Sequence, residues 1–371
     1  MEMVNILLPV LQEAVNWNLA RVHFLSCFLI ALLQVKTVNF AEIATAYGNK
    51  AKTESSYKRI QRFFRSFVGD FTVIAWLVVK MLPIADSPWI LTMDRTNWKL
   101  GKKNINVLIL GIAYRGIAFP LLWVLLPKRG NSNTRERIAL LDRFILIFSI
   151  GKIQCLTADR EFLGEAWFGY LLASAIPFRI RIRENMWITN ARGVATKARD
   201  LFRHLAIGQS EILPGRRLVD GHRLFVIGLR LLDEYVIIVT NHEPQTALKD
   251  YARRWEIETL FACLKSRGFR FEETHLTDGH RIEKLIGLLA IAFCWVHLIG
   301  EWRHEQKPIK IKKHGRKACS FFHCGLVYLR KLVLNFALYV QQFLHAVGIL
   351  AMALHPTRNI GMTRHHVIFS D

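Results

Sequence analysis

The sequence predicts an α/β protein, in which a core of strands and helices is interrupted by a β-rich insertion and flanked by helical regions. From Pro88 onwards, short apolar runs bounded by turn residues alternate with helical periodicity. Later several short strand patterns follow one another, and the beginning of the chain has helical periodicity without convincing strands. The predicted segments are 1–85 (helical), 86–177 (first part of the core), 178–241 (insertion and return strand), 242–300 (second part of the core) and 301–371 (helical).

Residues 39–67 predict a helix-turn-helix. A helix is followed by a turn centred on Gly48 and by a second helix that opens at Thr53 or Ser55. Four basic residues of the second helix alternate with apolar and aromatic ones: Lys58, Arg59, Arg62 and Arg65. With 51 Lys and Arg against 29 Asp and Glu, the net charge of +22 favours a polyanionic partner. We therefore expect residues 1–85 to bind DNA, and a solvated basic face without a partner stays open as the alternative.

The longest apolar run, residues 285–302, includes His297 and ends near Glu301. It is shorter than the roughly 20 apolar residues of a membrane span, so a buried core helix is expected and a membrane partner is not. The N-terminus lacks the pattern of a signal peptide, which favours a cytoplasmic protein.

Six cysteines without CxxC spacing indicate reduced thiols. Cys319, His323 and Cys324, with His314 nearby, lack the spacing of a zinc ligand set. Packed or solvated side chains are the expectation for this cluster.

Within the core, residues 105–114 and 116–126 are apolar runs separated by Arg115 and Gly116, which predicts a hairpin. A helix with Thr134 as its cap follows.

Two aspartates share a placement that suits catalysis. Asp94 ends the apolar run "PWILTMD" and Asp159 ends the run "IQCLTAD". A carboxylate at the end of a strand is held rigidly at the rim of a sheet, where a substrate has access. The alternative is that each aspartate starts a turn or caps a helix. A third acid on a later helix would complete a set of carboxylates able to hold divalent ions.

The stretch "YARRWEIETLFACLK" offers two acids for that third position on a predicted continuous helix, residues 246–266. At about 100° per residue, Glu258 lies on the same side as Arg254 and Lys265, whereas Glu256 lies on the opposite side. The sequence therefore predicts Glu258 as the functional acid and Glu256 as a surface residue. A simple ion pair between Arg254 and Glu258 is the alternative.

The same stretch resembles the signature of bacterial insertion-sequence transposases of family four, which include the transposon-five and transposon-ten enzymes. The signature tyrosine, arginine, glutamate and lysine match Tyr251, Arg254, Glu258 and Lys265, and "LTMD" and "TADREF" resemble the two aspartate blocks of the family. The resemblance implies an RNase H-like core and cut-and-paste DNA transposition. It also implies that the triad Asp94, Asp159 and Glu258 binds two Mg²⁺ ions, with Mn²⁺ as a substitute.

The resemblance further implies double-stranded DNA partners, namely terminal inverted repeats and target DNA, and a homodimer in the synaptic complex of a nucleoid-associated bacterial protein. The DNA contacts expected outside the helix-turn-helix are Tyr251, Arg254, Trp255, Lys265 and Arg160. Tyr235 is the candidate for stacking a flipped base, and Trp255 and Trp187, for which core packing is expected, are weaker ones. An RNase H-like nuclease without strand transfer and a catalytically silent DNA-binding relative stay open as alternatives.

Overall fold

The structure is a computed structural model, and it describes residues 1–48, 51–84, 87–313, 315 and 317–355. The chain divides into two units. The sheet unit consists of Asp86–Leu264 and Leu276–Glu283, and the helical unit consists of Met1–Ala85, Lys265–His275 and Lys284–Asp371.

The helices are α1 Glu2–Ala14, α2 Leu19–Val35, α3 Phe40–Thr45, α4 Thr53–Ser66, α5 Phe71–Lys80, α6 Thr134–Phe148, α7 Glu165–Ala173, α8 Ala247–Ala252, α9 Trp255–Leu264, α10 Gly279–Gln306, α11 Phe321–Leu334 and α12 Val340–Leu354. The strands are β1 Trp89–Leu100, β2 Lys103–Tyr114, β3 Ile117–Leu125, β4 Ile153–Ala158, β5 Phe178–Ile182, β6 Trp187–Thr189, β7 Ala195–Lys197, β8 Ser210–Ile212, β9 Arg217–Val219, β10 His222–Arg230 and β11 Tyr235–Thr240.

A mixed sheet forms the centre of the sheet unit. Its strand order is β3-β2-β1-β4-β5-β11-β10-β8, with β9 paired to β10. Strands β1, β4 and β5 are parallel neighbours, and the other pairs are antiparallel. The predicted hairpin is confirmed: β2 and β3 are joined by Arg115 and Gly116, whose φ angles of 49° and 92° suit a tight two-residue turn.

Strand β1 is longer than the sequence predicts. Its apolar half pairs with β4 as far as Met93, but the strand continues as a partner of β2 to Leu100. The prediction that Asp94 ends its strand is therefore wrong. The continuation was hidden because its residues are largely polar and alternate between buried and exposed positions.

Most strands of residues 178–241 extend the central sheet. Strand β5 pairs with β4, and β11, β10 and β8 follow it outward. Strands β6 and β7 form a separate two-stranded sheet.

The first turn of α6 carries a capping box. Asn133 Oδ1 accepts a hydrogen bond from the Glu136 N–H at 3.0 Å, and Glu136 Oε2 accepts one from the Asn133 N–H at 2.7 Å. The N-cap is thus Asn133, one residue before the predicted Thr134.

Aromatic packing holds α4 in the helical unit. Its Phe63 stacks on Phe24 of α2 at 3.8 Å between ring centroids, and Phe64 lies 4.7 Å from the ring of Phe40 of α3. Gly48 precedes α4 with a φ of 67°. The predicted order of helix, turn and helix is present, with α4 opening at Thr53.

Within the described chain, α10 is the one helix that is long and apolar enough to cross a membrane, judged by length and composition. The most apolar part of this helix is 83% buried inside the protein. That burial agrees with the predicted core helix.

One disulfide corrects the prediction of reduced thiols throughout. Cys319 and Cys324 are bonded, with 6.6 Å between their Cα atoms. Cys319 directly precedes Ser320, the N-cap of α11, and Cys324 lies in the first turn of that helix. The other cysteines, Cys27, Cys155, Cys263 and Cys294, are free and buried. His323 is exposed on α11, and His314 lies outside the described residues.

Candidate active site

Asp94 and Asp159 lie together because each follows the last residue pair of the parallel β1–β4 ladder. That last pair is Met93 with Ala158. Each aspartate accepts a hydrogen bond at Oδ1, at 2.7 Å, from the N–H of the next residue, Arg95 or Arg160. Each carboxylate is thus oriented by its own backbone, which leaves Oδ2 for another partner.

The segment that carries Glu258 is two helices, which corrects the predicted continuous one. Helix α8 ends at Ala252 and α9 begins at Trp255. Around this break, the N–H groups of Arg253, Arg254, Glu256 and Ile257 each donate to the carbonyl three residues back. These tighter turns change the angular position of every later side chain.

Arg254 links two of the predicted triad acids. Its Nη2 lies 2.9 Å from Glu258 Oε1, and its Nη1 lies 3.7 Å from Asp94 Oδ2. The Arg254 residue is only 3% exposed, whereas the Glu258 side chain is 42% exposed. Burial acts against the charge of Arg254, but the neighbouring Tyr251, Asp159 and Glu258 raise its pKa above the usual range.

The charge of Asp159 acts on the same group of residues. It contributes to the pKa shifts of Asp94, Tyr251 and Arg254. Asp94 and Glu258 therefore both lie beside the Arg254 guanidinium, and Asp159 follows Ala158, the strand partner of the residue before Asp94.

Burial raises the pKa of Asp94 to about 7. The Arg95 N–H and the Arg254 guanidinium oppose this rise, and the carboxylates of Glu161 and Asp159 add to it. Asp94 is thus a carboxylate that gains from a nearby positive charge when it ionises.

Asp94, Asp159 and Glu258 are the candidate ligands for a metal ion. Among the residues that the structure describes, no group of three or more His, Cys, Asp or Glu side chains is arranged to hold one. The donors are nevertheless carboxylate oxygens alone, which are the ligands of hard divalent cations such as Mg²⁺. By donor chemistry these residues fit such a cation, and the positive group beside Asp94 and Glu258 in the structure is Arg254.

Glu256 is buried, so the prediction of a surface residue is wrong. Its carboxylate accepts a hydrogen bond from Arg253 Nε at 3.0 Å, and the N–H groups of Tyr114 and Gly116 also bond to it. Arg253 in turn donates to the carbonyl of Ala113. Burial raises the pKa of Glu256 while these partners oppose the rise. The Arg253–Glu256 pair therefore fastens the start of α9 to the β2–β3 turn.

The other residues of the signature differ in exposure. Tyr251 is buried, and burial raises its pKa to about 12. Trp255 is 58% exposed, and the Arg254 guanidinium lies 4.9 Å from its ring centroid. Lys265 belongs to the helical unit, where it forms an ion pair with Glu272 at 2.9 Å. Arg160 is exposed.

The exposure of the candidates for stacking a flipped base is the opposite of the prediction. Tyr235 is buried at the start of β11, with the Arg230 guanidinium 4.3 Å from its ring centroid, so its ring face is already covered. Trp187 and Trp255, for which the sequence predicts core packing, are 63% and 58% exposed.

Helix α4 separates its residues as its sequence predicts. Ile60, Phe63 and Phe64 are buried. The basic residues are all exposed: Lys58, Arg59, Arg62 and Arg65. In the described part of the chain, no acidic side chain forms a salt bridge with any of the four.

Sequence reasoning missed a second ion pair beside the acids, between Arg95 and Glu161 at 3.2 Å. The available signal was that each candidate aspartate is followed by charged residues, in "DRT" and "DRE". The ion pair of Arg95 with the turn after β4 was not visible in the sequence, because the part of β1 that contains Arg95 was not recognised as strand.

Fold and site together define an α/β protein with carboxylates gathered at the end of a parallel strand pair. The chain belongs to the transposase DDE domain family, whose pattern matches residues 82–295. The structure is also similar to a solved piggyBac transposase synaptic complex with hairpin DNA, with a TM-score of 0.39 and 12% identity over 98% of this chain and 85% of the other. No curated protein matches the chain.

Proposed function

We propose that the protein is the transposase of a bacterial insertion sequence of family four and moves that element by cut-and-paste transposition. The observation that carries the proposal is that Asp94 and Glu258 lie beside one buried arginine, with Asp159 next to the partner strand of Asp94, in a chain of the transposase DDE domain family. The strand order β3-β2-β1-β4-β5, with β1, β4 and β5 parallel, supports an RNase H-like core.

Asp94, Asp159 and Glu258 would hold two Mg²⁺ ions, with Mn²⁺ as a substitute. When bound, the ions supply activation of the attacking oxygen and stabilisation of the leaving oxygen in an in-line displacement at phosphorus. The backbone bonds to the two aspartates keep their carboxylates oriented for this task.

The reaction has two steps at one site. In the first, water attacks a phosphorus atom at the transposon end and releases a 3′-hydroxyl. In the second, that hydroxyl attacks a phosphorus atom of target DNA, and the target strand leaves with its own 3′-hydroxyl. Because both steps break one P–O bond and form another, no covalent intermediate with the protein is needed.

The cationic side chains would bind DNA phosphates. Arg254 has a planar guanidinium suited to bidentate phosphate binding, and its buried Nε has no hydrogen-bond partner among the described residues. Lys265, Arg160 and Tyr251 would add further contacts. The exposed basic face of α4 would bind duplex DNA.

An exposed aromatic side chain could also stack on a nucleobase. Trp255 is the better placed candidate, because it flanks Arg254 and is exposed. Trp187, on β6, is the second. Two copies of the chain would assemble on the two transposon ends.

The test is a strand-transfer assay. DNA carrying the inverted repeats that flank the gene would be incubated with the protein, Mg²⁺ and a target plasmid, and Asp94→Asn would serve as the inactive control. We expect cleavage at the repeats and joined products. Hydrolysis without joining would instead identify a nuclease, and binding without cleavage a silent DNA-binding relative.

A further inference from the structure

The turn that carries Asp159 leaves the sheet as soon as β4 ends. Strands β1 and β4 pair for the last time at Met93 and Ala158, and α7 does not begin until Glu165. A hydrogen bond from the Phe162 N–H to the Asp159 carbonyl, at 2.9 Å, shapes the turn internally. That bond does not connect the turn to β1, so the distance between the two aspartates depends on other contacts.

Arg95 provides such a contact from the residue next to Asp94. Its Nε lies 3.3 Å from Glu161 Oε1 and its Nη2 lies 3.2 Å from Glu161 Oε2, which is a bidentate ion pair. The N–H of Arg95 also donates to Asp94 Oδ1 at 2.7 Å. One residue thus holds the Asp94 carboxylate by its backbone and the turn of Asp159 by its side chain.

The Arg95 side chain is itself fixed. It is 13% exposed and donates to the side-chain oxygens of Asn106 at 3.1 Å and Asn131 at 3.0 Å. The Asn106 amide group donates in turn to the carbonyls of Lys128 and Gly130. Because the guanidinium is fixed in this way, it holds the Glu161 carboxylate at a fixed position relative to β1.

Buried Arg137 of α6 supports the same turn from another direction. Its Nη2 donates to the Glu161 carbonyl at 2.9 Å, its Nη1 donates to the Leu163 carbonyl at 3.3 Å, and its guanidinium lies 4.8 Å from the Phe162 ring centroid. The backbone of the turn is therefore held as well as the Glu161 side chain.

We propose that Arg95 and Glu161 are positioning residues, whose ion pair sets the distance between Asp94 and Asp159 for a divalent cation. The inference rests on the proposed function, since it concerns the same carboxylates. Two carboxylates that share a cation repel each other without it, so their spacing must be imposed by the surrounding structure. Residues that orient metal ligands in this way commonly change metal affinity about 10- to 100-fold when they are replaced.

The test uses the full chain, two single variants and the double variant that combines them. Glu161→Gln keeps the shape but removes the charge, and Arg95→Lys keeps the charge but removes the bidentate geometry. Arg181→Lys is the matched control, because Arg181 of β5 is also 13% exposed and pairs at 2.6 Å with a glutamate, Glu234, in the turn before β11. The readouts are Mn²⁺ affinity of the DNA-free protein by electron paramagnetic resonance, the Mg²⁺ concentration for half-maximal cleavage, and Tm.

We expect both variants to weaken Mn²⁺ binding about 10- to 100-fold and to raise the half-saturating Mg²⁺ concentration by a similar factor, with Arg181→Lys within twofold of wild type. The double variant should lose no more Mn²⁺ affinity than the single variant with the larger loss, because both substitutions act through one ion pair. Folded variants with wild-type Mn²⁺ affinity, or losses that simply add, would overturn the inference. If one variant fails to fold, the other still decides.

Failure of the proposed function is distinguishable because it shows in the wild type. A wild-type protein that neither binds Mn²⁺ nor cleaves repeat DNA would overturn both proposals together. A wild-type protein that does both, beside variants that match it, would overturn the positioning inference alone.

Discussion

Two arginine–glutamate pairs stand side by side at the start of α9, and their surroundings differ. Arg254 pairs with Glu258 at 2.9 Å and also lies 3.7 Å from Asp94, and the Glu258 side chain is 42% exposed. The neighbouring Arg253–Glu256 pair, at 3.0 Å, faces the β2–β3 turn, and the Glu256 side chain is 11% exposed. An accessible carboxylate such as that of Glu258 can bind a ligand. A buried carboxylate such as that of Glu256, whose oxygens already accept hydrogen bonds from the protein, stabilises the fold.

The largest expected effect is at the accessible acid. Glu258→Gln should lower DNA cleavage by a factor on the order of 10³ or more, because it removes a carboxylate from the proposed metal site. Binding of repeat DNA and Tm should stay near wild type, since the side chain is partly exposed. Gel-shift and cleavage assays on one preparation would check this, and retained cleavage would contradict the assignment of Glu258.

The buried acid should respond in stability. Glu256→Ala removes the acceptor of Arg253 Nε and of the Tyr114 and Gly116 N–H groups, so we expect the free energy of unfolding to fall by about 2 kcal/mol. Urea unfolding would measure the change. Replacing the pair together, by Arg253→Met with Glu256→Leu, should recover much of it. If folded Glu256→Ala lost as much cleavage as Glu258→Gln, the distinction between the two pairs would fail.

At Asp94 we expect an effect on stability that depends on pH. The pKa of this carboxyl rises from 3.8 to about 7 on folding, so its stabilising contribution is complete below pH about 4 and is lost as pH rises through 7. In chelator at pH 8, Asp94→Asn should therefore be more stable than wild type by about 4 kcal/mol, because asparagine carries no charge that burial disfavours. The difference should vanish near pH 4. Thermal unfolding across this pH range would show it, and a pH-independent difference would contradict it.

The smallest effect is expected at an exposed arginine that forms no salt bridge with an acid in the described part of the chain. Arg62 is exposed on α4, so Arg62→Ala should leave stability unchanged and weaken DNA binding mainly by one phosphate contact. The slope of log affinity against log salt should fall by roughly one. Gln61→Ala, at an exposed neighbour, is the control. Equal salt slopes in both variants would argue against a DNA-binding face here.

Local patterns predicted much of this architecture. The apolar runs ending at Met93 and Ala158 predicted two buried strands, because strands buried on both faces read as continuous apolar sequence. Their parallel pairing is a finding of the structure. The face of α4 was also predictable, since a regular helix has a fixed period. The second half of β1 was not predicted, because its polar residues are held in a strand by pairing with β2. The disulfide was not predicted either, because cysteine spacing alone does not show whether two nearby thiols are bonded.

By itself, the sequence determined the chemistry of the molecule: a basic helix with one apolar side, two aspartates that follow apolar runs, and two glutamates among arginines. Only the tertiary structure decided which glutamate is accessible. The break between α8 and α9 shifts the helical phase, and the β2–β3 turn supplies backbone N–H groups to Glu256. The turn lies some 140 residues earlier in the chain. Burial and the partners of a charge are set by the packing of distant segments, so composition and local periodicity do not encode them.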